Sequence, residues 1–484
     1  MNNLIKKLKT IKNFEKIIIW ALVSILALIL IYNLILSPAL GKADNGDFGR
    51  MSSLSGVADM ATTYEEQFDG YFHQKYKIIP HSILLPWKSD VVLGGYIGKI
   101  AVILNLLFTL FTAKTFDIRF LGALYSIIFV VGMYFIISYK KFNIFTKTIC
   151  GILAILIFTD GIYISYFNSF FGEAATIACL FLLLGSFLYL ITRKNLSKWH
   201  FTFFFVSSLF FLTSKTQQLP LLLFMWIIYF ALYYFYKEYR KLILTWTLVI
   251  TTLCGVVFFS IGDITNKNNL YQSVFTGILY ESENPEEDLI ELGLDPKFAA
   301  NAGPGFYAPN LQYDPLGEEM LNNFYPNMSI GKVLKFYLKH PIRAWEKICS
   351  SADYAYSFYP IDEKNYPKGE FDSNKKINTF RYDLIQKYPN IHRNIYLFIG
   401  FAFIYLITLG YYFFKSKNKE VKLLTLLLLF LLAAGASQLV LPVIGSGVAD
   451  FGKHLFLINL AYDTLVCSAI LWTINKLTNK MIGA

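Results

Sequence analysis

Stretches of about 20 apolar residues alternate with short lysine clusters along this 484-residue chain, and that alternation limits what it can fold into more than any other feature. About 20 helical residues at roughly 1.5 Å each cross the hydrocarbon core of a bilayer, which is about 30 Å thick. The runs fall at 17–36, 118–139, 148–166, 174–192, 199–218, 219–236, 242–262, 395–414, 421–443 and 455–475. With 55% hydrophobic and only 16% charged residues, most of the chain belongs in lipid. A soluble enzyme, a nucleic-acid binder and a disordered protein are excluded. The expected fold is an all-α polytopic membrane protein with about ten transmembrane helices.

The formal net charge of +11 is an orientation signal. Lys6, Lys7, Lys9, Lys12 and Lys16 precede the first run, so the positive-inside rule starts the chain in the cytoplasm. That run exceeds the apolar core of a secretory signal, roughly 7–15 residues, and is expected to stay as an anchor. The segment 91–112 is also apolar but carries Gly94, Gly95, Gly98, Lys99 and Asn105. If it stays outside, the cytoplasmic segments hold 20 of the 44 Lys/Arg against only Glu15, Glu238 and Glu420, leaving 24 Lys/Arg against 30 Asp/Glu elsewhere. If it crossed, every later lysine cluster would be inverted. It is therefore expected as an interfacial or re-entrant helix on the outer surface.

Three regions follow: an N-terminal transmembrane module, 1–262, with a catalytic first outer loop at 39–117; an extracytoplasmic domain, 263–394; and C-terminal helices, 395–484. The second outer region holds ten of the fifteen prolines, which suits helical and irregular structure, with one amphipathic helix over 330–350 continuing towards 359. The five cysteines form no CxxC motif and indicate neither metal site nor disulfide framework.

Polar residues at the outer edge carry the functional case. Gly41-Lys-Ala-Asp44-Asn-Gly-Asp47-Phe-Gly-Arg50 leaves the first span directly. A carboxylate held in partly apolar surroundings can serve as general base, whereas Asn-Gly and Asp-x-Gly also make ordinary solvated turns. Asp160 to Glu173 closes the third run; Glu173 sits between two apolar helices, where an acid is costly and points to function, while Asp160 reads as a structural hydrogen-bonding group. Lys215 and Gln218 lie in Thr213-Ser-Lys-Thr-Gln-Gln218, where the lysine either snorkels or meets a phosphate. His340-Pro-Ile-Arg343 and Asp450-Phe-Gly-Lys453-His454 add basic groups, His340 reading equally as a surface histidine.

Together, Asn45-Gly-Asp47-Phe-Gly-Arg50, Phe167-Asn-Ser-Phe-Phe-Gly-Glu173 and Lys453-His-Leu-Phe-Leu457, set in about ten spans with an early interfacial helix, resemble the GT-C superfamily of membrane glycosyltransferases. The nearer likeness is to bacterial hexosyltransferases of surface-glycan synthesis. The resemblance implies transfer of a hexose, with inversion, from a polyprenyl-phosphate donor to a cell-envelope glycan or lipid-linked acceptor at the outer face of the cell membrane. It implies Asp47, Asp44 and Glu173 as catalytic residues, with Asp47 as the base. Lys215, Arg343, Lys453 and His454 would hold the donor phosphate, and Arg50, Asn168, Gln218 and His340 would contact substrate. The first loop departs from the commonest pattern in lacking an adjacent acidic pair.

No cofactor is expected. Asp44, Asp47 and Glu173 include enough oxygens for a divalent cation, but basic side chains can neutralise a monophosphate equally. Membrane lipids are the remaining expected partner, and nucleic acid is not one. Two other classes share these features: a transporter or flippase for a lipid-linked sugar, for which the expected internal repeat is not evident, and a non-catalytic assembly subunit of an envelope-glycan system.

Overall fold

The computed structural model describes residues 2–68, 70–85, 90–449 and 451–482, and of 2–12 and 481–482 the backbone alone. Asp450, grouped above with Lys453 and His454, lies outside the described residues. Among the described residues, eight helices are long and apolar enough to cross a membrane: Asn13–Ile35, Arg119–Ile137, Gly172–Ile191, Thr216–Phe235, Lys237–Phe259, Ile395–Lys415, Lys419–Gly445 and Phe456–Lys480. The pair Ile144–Phe158 and Gly161–Asn168 is bent by 65° at a short break, the geometry of a broken span or a re-entrant loop, and makes nine spans if it counts as one. Lys198–Leu212 is apolar but has only 15 residues, too short for the whole core. Numbered in chain order, these are the ten expected segments, with the third broken and the fifth short.

The fourth segment, Gly172–Ile191, is the axis of the bundle, with 89% of its apolar window buried, against 11% for Ile395–Lys415. It meets the second segment by direct backbone approach. A Cβ on Gly132 would lie 2.5 Å from the Phe181 carbonyl carbon, and one on Gly185 would lie 2.5 Å from the Gly132 oxygen. Small residues let helices approach in this way where lipid supplies no hydrophobic drive.

The lysine-rich connections share one end of the bundle. There Lys141 pairs with Glu420 at 2.9 Å, Lys147 with Glu15, and Asn143 donates to Thr478 and Asn479. The two long connections meet at the other end. Gly41 and Asn365 exchange 2.9 Å hydrogen bonds, and the Phe72 amide donates to the Lys364 oxygen.

Within the first loop, the helix Leu93–Phe108 buries Gly94, Gly95 and Gly98 against Met51, Leu54 and Ser55, and leaves Ile100, Ile103, Leu107 and Phe108 exposed. It starts where the Leu93 amide bonds the Thr213 oxygen, and ends where Asn105 grips Thr115 and Asp117. Both ends lie at the loop end of the bundle, so the helix does not cross. An antiparallel sheet follows that the sequence reading did not contain. β1 (Val57–Ala58) pairs with β2 (Lys75–Ile78), and β2 with β3 (Thr115–Asp117) in the register Tyr76 to Phe116. Strands of two to four residues are too short to display a period of two.

In the second connection, the expected continuous helix over 330–350 is two helices, Ile330–Lys339 and Pro341–Asp353. Pro341 has no N–H to continue the ladder and pushes the preceding His340 out of helical geometry, to φ −116° and ψ 63°.

Candidate active site

At the loop end, four sequence-distant segments converge. The turn after the first span is set by Asp44, whose Oδ1 accepts from the Gly46 and Phe48 amides at 2.8 and 3.1 Å. Gly46 takes φ +101°, a conformation open to glycine. Because Asp44 takes the first amide of the helix Phe48–Ser55, Asp47 makes no cap there although it stands at the N-cap position. Its carboxylate instead forms an ion pair with Lys453, just ahead of the tenth segment. Burial pushes the Asp44 carboxyl up from its ordinary range.

Glu173, 1% exposed, lies in the first turn of the fourth segment, where a helix N-terminus favours an acid. Its Oε1 accepts from Lys215 Nζ at 2.6 Å, while Oε2 has no hydrogen-bond partner among the described residues. Lys215 stands at the turn where the short fifth segment stops and the sixth begins. This ending below full span length sets the lysine beside a buried acid. Gly172 makes room: a Cβ there would come within 2.6 Å of Lys215 Cγ.

The two ion pairs belong to one cluster. Lys453 Nζ lies 5.0 Å from the Phe171 ring centroid, two residues from Glu173. Burial lowers the Lys453 ammonium to about 8. Burial, with Lys215, Lys453 and Arg50 adding repulsion, lowers His454 to about 3, so it is neutral at physiological pH and acts as a hydrogen-bonding group. Gln217 clamps it, donating to the His454 carbonyl at 3.0 Å and facing Nδ1 at 3.4 Å. Arg50 is exposed beside this group.

Asn168 and Gln218 are adjacent but hold the framework. Asn168 Nδ2 donates to the Leu34 and Leu40 oxygens at 2.8 Å each, fixing the exit of the first span. Gln218 bridges Ser214 and Thr176. Asp160 also holds structure: it caps Ile162 and accepts from the Arg381 and Tyr382 amides. Arg343 and His340 do not join the cluster. Arg343 forks onto Asp288 at 2.7 and 2.9 Å, and His340 pairs with Glu291 at 2.8 Å.

Several neighbours were not singled out from the sequence. Lys42 Nζ lies 4.5 Å from the Tyr166 ring centroid, and burial lowers it to about 8 against the opposing pull of Glu173 and Asp362. Its place inside the Gly41–Arg50 motif was the available signal. His73 and Asp59 pair at 2.8 Å; the hydrogen bond to Asp59 raises the imidazole, with Asp44 contributing through space.

The site therefore combines four cations, Lys42, Arg50, Lys215 and Lys453, with Asp44, Asp47 and Glu173, beside rings of Phe48, Tyr166 and Phe171. Such a set can hold a phosphate at a membrane edge and move a proton next to it. No three His, Cys, Asp or Glu groups converge as a cation cage among the described residues.

The chain is similar over 97% of its length to the oligosaccharyltransferase AglB of Archaeoglobus fulgidus, solved with an inhibitory peptide and a dolichol-phosphate, at 12% identity and TM-score 0.39. The oligosaccharyltransferase of the same organism tethered to an acceptor peptide with an NVT sequon matches over 95% at 11% identity and TM-score 0.40. The chain spans about half the length of these structures, 52% and 50%. Among curated proteins none matches the sequence. Residues 5–483 match the family described as the YfdI N-terminal transmembrane domain, and the chain belongs to that family.

Proposed function

We propose that the protein is a membrane glycosyltransferase that moves a hexose from a polyprenyl-phosphate donor to a cell-envelope glycan or lipid-linked acceptor, on the extracytoplasmic side of the cell membrane. The observation that carries this reading is the Asp47–Lys453 ion pair standing beside Glu173–Lys215 at the mouth of a lipid-embedded bundle. An incoming lipid phosphate draws Lys453 and Lys215 to its oxygens. Asp47, released from Lys453, then accepts the proton of an acceptor hydroxyl as that oxygen attacks the anomeric carbon, and the polyprenyl phosphate leaves. One displacement inverts the anomeric centre. Lysine charge offsets the charge on the leaving phosphate, which a preorganised cation does without reorganisation during the step.

The sidedness follows from the lysine-rich connections lying opposite this site, read through the positive-inside rule. Asp44 holds the turn, its Oδ1 accepting from two amides, and the base role is assigned here to Asp47. The test is transfer from a radiolabelled polyprenyl-phospho-hexose by the purified protein. Loss of transfer in Asp47→Asn with unchanged insertion supports an enzyme; full transfer in Asp47→Asn sinks the assigned base, and no transfer by the unaltered protein with any envelope acceptor favours a flippase or assembly role.

A further inference from the structure

The helix pair Ile330–Lys339 and Pro341–Asp353 of the second connection leaves large apolar side chains uncovered. The first helix exposes Ile330, Leu334 and Leu338, and the second exposes Ile342 and Trp345, each set at the spacing of a single helix face. Leu338 and Ile342 are each 73% exposed. The far side of both helices is polar and turned into the second connection. Lys332 donates to the Leu292 oxygen at 2.9 Å, Lys339 pairs with Glu291 at 2.9 Å, Arg343 forks onto Asp288, and Lys347 donates to the Tyr280 oxygen at 2.6 Å. The apolar strip therefore points away from the polar body of the connection.

Its surroundings identify what covers it. Both helices pack on the ninth segment, Lys419–Gly445, and the second also touches the eighth, Ile395–Lys415. Ser351 Oγ donates to the Leu439 oxygen at 3.2 Å. The ninth segment has 27 residues, about 40 Å of helix against a hydrocarbon core of about 30 Å, so its ends stand about 5 Å beyond the core. Leu439 is roughly 9 Å short of Gly445 at about 1.5 Å per residue, which sets Ser351 close to the boundary between acyl chains and head groups. Tyr396, Leu397 and Ile399 are exposed in the first turns of the eighth segment, so the strip continues a surface that already faces acyl chains. Trp345, an apolar ring with a polar N–H, suits that depth.

We infer that this helix pair lies in the membrane interface at the loop end of the bundle, with Ile330, Leu334, Leu338, Ile342 and Trp345 seated among the acyl chains of that leaflet. Phospholipid is the occupant of the strip. An interfacial amphipathic helix holds its apolar face about 5–10 Å into this boundary, and the Ser351–Leu439 contact fixes the second helix close to that depth. The membrane contact is separate from the transfer reaction proposed above and stands or falls without it. It fastens the second connection to the leaflet, and the same connection reaches the candidate site where Asn365 meets Gly41.

The test is spin labelling of the full-length protein in vesicles of phosphatidylglycerol and phosphatidylethanolamine. The background is Cys349→Ser, since the other four cysteines are buried. Labels at Leu338→Cys and Ile342→Cys are compared with one at Glu287→Cys, an exposed position on the acidic helix Pro285–Leu292. The ratio of collisions with oxygen to collisions with a water-soluble nickel chelate is expected to be at least about threefold higher at the two strip positions, because oxygen concentrates in acyl chains and the chelate stays in water. In the protein with its cysteines intact, lipids brominated on their acyl chains should quench an emission component that Trp345→Phe lacks, so the test stands even if a cysteine variant does not fold. Strip labels that meet the chelate as freely as the Glu287→Cys label place the strip in water and overturn the inference. Strip labels shielded from both reagents mean that protein, a second copy or another chain, covers the strip, and overturn the assignment to lipid.

Discussion

Lys453, just ahead of the last span, is ion-paired with Asp47, just after the first, so the two ends of the fold meet in one contact. The pairing makes the groups unequal in the proposed reaction. Lysine interacts with the phosphate in both ground and transition states, whereas the carboxylate accepts a proton only as the reaction proceeds. Asp47→Asn is expected to lower kcat by about 10²- to 10⁴-fold, the ordinary range for a positioned base, with donor KM little changed. Lys453→Met should raise donor KM and also lower kcat, because its charge is worth most as the phosphate leaves. Steady-state kinetics with varied donor distinguishes them, and equal effects of both variants on KM alone would remove Asp47 from the base role.

The same lysine sets a pH limit. Its ammonium, lowered to about 8, is charged below that pH and neutral above it. Since kcat/KM reports the free enzyme, it should fall as pH rises through about 8, twice as steeply as for one proton because Lys42 is lowered to about 8 as well. Lys453→Arg keeps its charge throughout this range and should leave a single-proton limb attributable to Lys42. A profile flat to pH 10 in the unaltered protein contradicts the assignment.

A buried ion pair fastens the second connection to the bundle. Arg381, 4% exposed, forks onto Asp463, 5% exposed, at 2.8 and 2.7 Å; Tyr356 and Tyr163 donate to the same carboxylate at 2.6 and 2.8 Å. Removing one partner leaves the other charge buried and unpaired. Arg381→Met is therefore expected to cost about 3–5 kcal/mol, and the double variant Arg381→Met/Asp463→Leu less than the sum of its parts. Thermal unfolding in one detergent measures both. Additive losses would show that the pair contributes nothing as a pair.

Most of the candidate cluster was legible because a charge at the membrane edge is costly, which singles out Glu173, Lys215 and Lys453 in otherwise apolar sequence. The same rule marks Asp463 inside the last apolar run, whereas its partner Arg381 sits in a polar connection where one more arginine carries no signal. Arg343 and His340 misled for the converse reason. Their acids, Asp288 and Glu291, lie about fifty residues upstream, and only the folded second connection brings them together. The span positions were legible from run length. The break at Asp160 was not, since the aspartate that caps the second half and binds the Arg381 and Tyr382 amides sits inside a continuous apolar run.

Metal dependence follows from how the carboxylates are already engaged. A magnesium ion requires oxygen ligands at about 2.0–2.1 Å in near-octahedral order, and calcium more of them at about 2.3–2.6 Å. Here Asp47 faces Lys453, Glu173 faces Lys215 at 2.6 Å, and Asp44 Oδ1 takes two amides. A divalent cation would have to displace two lysines and then stand beside them, where their repulsion opposes it. Transfer is accordingly expected to persist in excess EDTA and to gain nothing from added magnesium or manganese, while Lys215→Met, which strips Glu173 of its counter-ion, lowers it. Radiolabel transfer across an EDTA and metal series decides the matter: a tenfold stimulation by either cation would mean that the carboxylates release their lysines and bind metal during turnover.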